Sequence, residues 1–327
     1  MSRDWRFRLA EQRSVLLPAA LFIAMFLLYI GKHPAGLTAN VASTAANKGV
    51  LLALVAMAQT IPVLTAGLDL SVGMVLVLTN CLASSIMVGS PAEVALGTVA
   101  VLALGVLCGA VNGAVVVYGR IQPIIATLAT SSIYYGVALA LRPAPGGEVD
   151  GALADALTGS LPGGVPASLL LLLVVVLVVW LPYRRSVLGR AAYAVGSSAQ
   201  AAYMSGVPIA RATLLAYVLA GLLSAIAGLL LTCITYSGEA SAALGGTYTL
   251  TAIAAVVVGG TSLFGGSGGA IGSIFGAFVL RTIGDLLFVF DMDALWQPLF
   301  LGAVLLAAIS LGSFRLIGVR NRLELYR

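Results

Sequence analysis

The sequence predicts an all-α polytopic membrane protein of about ten transmembrane helices, built as an inverted five-helix repeat with broken helices. Three observations predict it. The 327 residues are 60% hydrophobic and only 9% charged, whereas soluble domains carry about 25% charged residues. The apolar residues fall into runs long enough to cross a bilayer, with the charges between them. A glycine pattern in the fourth run returns in the ninth.

Each run follows from the same cost. An isolated charge in hydrocarbon costs roughly 2.5–3.5 kcal/mol on insertion scales, so charges are kept to the ends of spans. A spanning helix needs about 20 apolar residues. The runs lie near 15–31, 49–66, 72–89, 94–117, 123–141, 166–182, 213–237, 246–264, 268–290 and 294–313. The pair around Asp69 is short, and helix breaks are expected there and near 238–267. The basic N-terminus followed by an apolar run has the form of a signal peptide. That run is long and has no clear small-residue cleavage site, so it is read as an uncleaved first span.

Lys and Arg collect on the cytoplasmic side of a membrane protein. With ten spans and the N-terminus inside, Arg3, Arg6, Arg8, Arg13, Arg120, Arg184, Arg185, Arg190, Arg211, Arg315, Arg320, Arg322 and Arg327 are inside. Only Lys32, Lys48 and Arg142 fall outside, and Arg281 lies within a span. Nine or eleven spans would put Arg184 and Arg185, or the C-terminal arginines, on the wrong side. Residues 1–14 and 314–327 are then cytoplasmic ends, and 15–313 is a single transmembrane domain with no separate soluble module. The net charge of +5 reads as orientation signals, and no nucleic acid is expected as a partner.

The repeat rests on GVLCGAVNG, with Gly105, Gly109 and Gly113, and GGAIGSIFG, with Gly268, Gly272 and Gly276. Small residues at this spacing let membrane helices approach closely. In a glycine-rich chain the match can also arise by chance. If it is a repeat of five spans it must be inverted, and the break near Asp69 should return after the seventh span. YSGEASAALGGTYTLTA, with Gly245 and Gly246, stands there. Inverted repeats with broken helices are a common transporter architecture.

Chemistry is sparse. The one histidine, His33, supports neither acid–base catalysis nor a metal cluster, so no catalytic residue and no metal site are expected. Cys81, Cys108 and Cys233 lie in apolar runs and read as small hydrophobes. Neither lysine stands in a G-x-x-x-x-G-K-[ST] phosphate loop, and the glycine-rich GGTSLFGGSGG at 259–269 lacks a lysine altogether. No cofactor is expected on this chain. Asp69, in TAGLDLSVG, has three readings: a cap on the helix starting near Val72, a proton or cation site, or a plain loop charge. Arg281 and Asp285 are spaced for an ion pair on one helix face, either as a static pair or on a transport path or outer gate. The inside loop at 183–212 carries helix formers from Ala191 to Met204, stopped by Gly206 and Pro208, and predicts a short helix along the membrane surface.

Four stretches in order carry a resemblance: AQTIPVLTAGLDLSVG at 58–73, VNGAVVVYGRIQPIIATLAT at 111–130, GRAAYAVGSSAQAAYMSGV at 189–207 and TAIAAVVVGGTSLFGG at 251–266. Together they resemble the permease subunits of ATP-binding-cassette importers of the ribose-type monosaccharide family, over about residues 45–315. The resemblance implies a multi-pass inner-membrane permease with both termini cytoplasmic and no enzymatic activity of its own. It implies a second permease subunit, identical or related, two cytoplasmic ATPase subunits that bind the ATP, and a periplasmic solute-binding protein. It makes the inside loop a coupling helix, with Gly196, Ser197, Gln200, Ala201 and Gly206 at the matching positions. Gln200 stands where the family usually has Glu, Thr251 where Asp is common, and Asp285 where Asn is common. Helix breaks and the translocation path are expected to draw on Asp69, Ser71, Gly73, Asn112, Thr127, Thr251, Arg281 and Asp285. A ten-span transporter driven by an ion gradient is the alternative, with Asp69 or Asp285 as its ion site. An intramembrane enzyme is disfavoured, because no acidic, His or Cys cluster converges.

Overall fold

A computed structural model of the chain describes residues 4–304, 306 and 307. Its regular structure in this range is helical, joined by turns and loops that include two isolated bridges, Gly146 with Gly238 and Ser160 with Pro166. The long helices are α1 (Asp4–Lys32), α2 (Ala39–Leu64), α3 (Val72–Ile86), α4 (Pro91–Val117) and α5 (Pro123–Leu141). A short α6 (Gly151–Thr158) follows. One continuous span then runs from α7 (Ala167–Val175) through a π-helical turn, Val176–Trp180, into α8 (Leu181–Arg185). Pro182 has no N–H to offer the preceding turn, which accounts for the local widening. Two short helices come next, α9 (Val187–Ser197) and α10 (Ala199–Met204), then α11 (Ile209–Thr235), α12 (Ala242–Val258) and α13 (Ala270–Val289). Residues 297–304 are again helical; the rest of the expected span at 294–313 and the 314–327 tail lie outside the described residues.

Seven of these segments are long and apolar enough to cross a membrane, and α3 and α12 are shorter apolar helices. With the helix beginning at 297, this is the polytopic, roughly ten-helix arrangement expected. α2 and α11 form the centre: every residue from Gly49 to Leu64 is buried. The outer helices turn large apolar side chains outward, among them Leu96 (70% exposed) and Val178 (67%), as a lipid-facing surface requires.

A repeat is visible in helix pairing. α4 packs along α11 and α13 along α2; α3 packs on α11 and α12 on α2; α3 meets α4 as α12 meets α13. Exchanging α2–α4 with α11–α13 preserves every one of these pairings. The glycine echo is less symmetric than the helices. A Cβ on Gly105 or Gly109 would overlap α11 backbone, while Gly276 faces α12 and Gly268 precedes α13 at φ +108°. α13 approaches α2 through other contacts, such as Thr60 Oγ1 donating to Ser273 at 2.8 Å.

Two sequence expectations shift. Lys48 is not in a loop but on α2, which begins at Ala39; the polar residues Asn40, Asn47 and Lys48 mark one face of its first turns and depress the local hydropathy. The single surface helix at 191–204 is two helices, split where Ser198 takes an extended conformation and caps α10 by accepting from the Ala201 N–H.

Candidate functional site

α2 ends at Leu64, and the Pro62 carbonyl in its last turn accepts from the N–H groups of Thr65 and Gly67. The chain then turns through Ala66 at φ +61°, a left-handed conformation that costs a non-glycine residue roughly 1–2 kcal/mol. Asp69 lies in this break and is 2% exposed. Its Oδ1 accepts from the Ser71 N–H at 2.9 Å and from the Ser71 hydroxyl at 2.6 Å. Ser71 is the N-cap of α3, so the carboxylate sits where the helix's free N–H groups and positive end favour it.

The break is held from two further helices. Asn112 of α4 donates to Ser71 Oγ at 2.7 Å, and its own Oδ1 accepts from the Thr130 hydroxyl of α5 at 2.6 Å. Tyr134 Oη stands 3.0 Å from the same oxygen and 2.9 Å from the Cys108 carbonyl. Thr127 accepts from the Leu70 N–H at 2.9 Å. Beyond the break, the Gly73 N–H donates to Thr249 Oγ1 of α12 at 3.1 Å. A Cβ on Gly73 would overlap the Gly245 carbonyl. The first turns of the two short helices, α3 and α12, therefore meet directly.

A second break follows α11. Tyr236 ends that helix in the left-handed region at φ +53°, as Ala66 ends α2. Asn80 of α3 pins this segment: its amide donates to the Ser237 carbonyl at 3.1 Å and to Thr232 Oγ1 at 2.8 Å, and its Oδ1 accepts from the Glu239 N–H at 3.0 Å.

Arg281 and Asp285 lie elsewhere, toward the C-terminal end of α13, and form an ion pair at 3.1 Å. This is the ion pair found among the described residues. It borders a recess of about 480 Å³ with Tyr29, Asn40, Lys48 and Gln297. The volume lies within the range of small-molecule sites.

α9 and α10 occupy the end of the bundle where α2 terminates. α9 is anchored: Ala191, Ala192 and Val195 are buried, and Tyr193 Oη donates to the Gly268 carbonyl at 2.9 Å. Burial raises the Tyr193 pKa above its ordinary value, more than nearby Arg184 lowers it, so the hydroxyl keeps its proton. α10 is presented: Tyr203 is 76% and Met204 80% exposed. Ser197, Gln200, Ala201 and Gly206 are exposed alongside, with Gly206 at φ +72°.

Residues 41–309 match the family model described as "Branched-chain amino acid transport system / permease component". The chain belongs to this permease family. It is 36% identical to the ribose import permease protein RbsC of Haemophilus influenzae over 261 residues, covering 79% of this chain and 80% of the relative. RbsC of Bacillus subtilis is 34% identical over 262 residues, 79% and 80% of the two chains. The autoinducer 2 import system permease protein LsrD of Photorhabdus laumondii subsp. laumondii is 30% identical over 297 residues, 89% and 88%. No solved structure matches the chain. The permease is a multi-pass membrane protein and a transport component.

Within the permease, Asp69, Ser71, Gly73, Asn112 and Thr127 come together in one buried cluster. Arg281 and Asp285 form a second, at the far end of α13. Thr251 joins neither; Thr249, two residues earlier on α12, makes the contact to Gly73. Sequence reading missed Asn80, Thr130, Tyr134 and Thr249, whose one signal is a polar side chain inside an apolar run.

Proposed function

We propose that the permease is the membrane-spanning subunit of an ATP-binding-cassette importer that moves a monosaccharide or similar small polar solute across the bacterial inner membrane by alternating access. The observation that carries this is the match to ribose import permeases over about four-fifths of both chains. The arginine distribution gives the orientation: α9, α10 and both termini face the cytoplasm, and the recess at Arg281 and Asp285 faces outward.

The pathway has two gates in this reading. The outer recess, with its mixed charges, amides and Tyr29, suits the hydroxyl groups and apolar face of a sugar delivered by a solute-binding protein. The inner gate is the Asp69 break, in which the carboxylate caps α3. The exposed α10 docks an ATPase subunit, which holds the ATP. A second permease subunit, identical or related, completes the channel with a second ATPase. The ion-gradient alternative would use Asp69 or Asp285 as its ion site, but the Asp69 contacts described above go to Ser71 and Asp285 is paired with Arg281.

Capture tests this. Purification of the permease in mild detergent recovers a P-loop ATPase, and replacing 196–206 by a Gly/Ser linker abolishes that recovery while the spans stay folded. Solute uptake by this chain alone in vesicles, energised only by a pH or sodium gradient, overturns the reading.

A further inference from the structure

Three segments meet backbone to backbone beneath the exposed α10: the end of α2, the last turn of α9, and the turn at 262–267 that leads into α13. The Gly266 N–H donates to the Leu64 carbonyl at 3.1 Å. A Cβ on Gly196 would overlap both the Leu64 carbonyl and the Gly266 nitrogen. One on Gly265 would come within 2.8 Å of the Ala66 nitrogen and 2.9 Å of Gly196 Cα, and one on Gly266 would overlap Ser197. Gly265 and Gly266 also take φ of +86° and +70°, so glycine is required there for conformation as well as space. The turn is closed on itself by the Ser262 N–H donating to the Ser267 carbonyl at 3.2 Å. α9 holds it at a second point through Tyr193 and Gly268.

No side chain lies between these backbones to absorb a displacement. A shift of α9 is therefore passed on to whatever it touches, and close-packed contacts of this kind transmit strain. α9 touches the Leu64 carbonyl and, through Gly196, the turn; Gly265 of that turn reaches Ala66, the left-handed residue three positions before Asp69, at the point where α2 breaks. We propose that the Gly265–Gly266 turn is the transmission element of the permease, carrying movement imposed on α9 and α10 to the Asp69 break by direct backbone contact. The turn lies outside the coupling loop, more than fifty residues along the chain, and acts as a positioning element. This rests on the reading that α10 docks an ATPase subunit.

The test is hydrogen exchange on the permease–ATPase complex in lipid nanodiscs, with and without ATP plus vanadate, which needs no knowledge of the solute. In the wild type, exchange in peptides covering 197–206, 262–268 and 64–71 is expected to change at least twofold together. In Gly265→Ala, whose Cβ separates Ala66 from Gly196, the response at 197–206 is expected to persist and that at 64–71 to be lost, with ATPase capture within twofold of wild type. An equal response at 64–71 in both proteins overturns the proposal. Should Gly265→Ala fail to fold, the wild type decides alone: a response at 197–206 with 64–71 unchanged overturns it. Failure of the wild type to capture an ATPase is the distinct outcome that removes the coupling reading, and the linkage with it.

Discussion

Gly73→Ala separates what helix propensity predicts from what this packing predicts. Position 73 is the second residue of α3, where the preference for alanine over glycine is at most the about 0.8–1.0 kcal/mol of a helix interior. The structure opposes that gain twice. The new Cβ would overlap the Gly245 carbonyl and crowd Thr249 Oγ1, and overpacking of a close contact costs typically 1–3 kcal/mol. Pushing α12 away also loses the Gly73 N–H to Thr249 bond of 3.1 Å, about 0.5–1.5 kcal/mol. The balance is a net loss of about 2 kcal/mol. Gly136→Ala on α5 is the matched comparison, because nothing lies within 4 Å of its added Cβ; it keeps the propensity gain alone. Reversible denaturation in mixed micelles reads both variants against wild type, and their effects should have opposite signs. Gly73→Ala as stable as Gly136→Ala would refute the contact between the two short helices.

Gln59 is fully buried in α2 with neither end of its amide hydrogen-bonded; Gln59→Leu should raise stability by about 1–3 kcal/mol, and a lowered denaturation midpoint would show that the amide is satisfied in the membrane. Asn112→Ala removes its bonds to Ser71 and Thr130, each of which keeps another partner, Asp69 and the Thr127 carbonyl, so about 0.5–1.5 kcal/mol per lost bond is expected; an unchanged denaturation midpoint in the same assay would refute the bonds. Asp285→Ala leaves Arg281 unpaired beside the recess, and for this partly exposed pair a loss of about 1–2 kcal/mol is expected; Arg281→Met in the Asp285→Ala background should recover part of it, measured as a double-mutant cycle.

Much of the fold was legible because the bilayer makes it so. Charge exclusion set the spans, and the arginines set their number. The helix-level repeat was legible too, although the glycines that suggested it face non-equivalent partners, Gly105 and Gly109 toward α11 but Gly276 toward α12. The start of α2 was misplaced because a helix can carry Asn40, Asn47 and Lys48 on one face and still begin a span; a hydropathy window averages over faces and cannot see that. Asp69 announced itself as a charge in apolar sequence. Its partners did not: choosing Thr249 over Thr251 requires knowing which face of α12 meets α3. The Gly196–Gly265 approach joins segments far apart in the chain, and no local pattern encodes it.

The two breaks are built alike but held by different side chains. Each follows a central helix, turns through a non-glycine residue in the left-handed region, Ala66 or Tyr236, and leads into a short helix whose first turn rests on its counterpart. The first is held by Asn112 and Thr127, the second by Asn80. At the first, the bonds to Leu70 and Ser71 together with the Asn112–Thr130 bond number five, or about 5 kcal/mol at about 1 kcal/mol each. Moving a two-state equilibrium from 1:99 to 99:1 takes about 5.5 kcal/mol, so a partner's binding energy of that order is enough to switch the break. The α4–α11 contact offers no such margin, since separating backbones in van der Waals contact along several turns means giving up a large part of the core. In the proposed transmission, movement delivered at Ala66 therefore acts on the hydrogen-bonded break before the helix pairs.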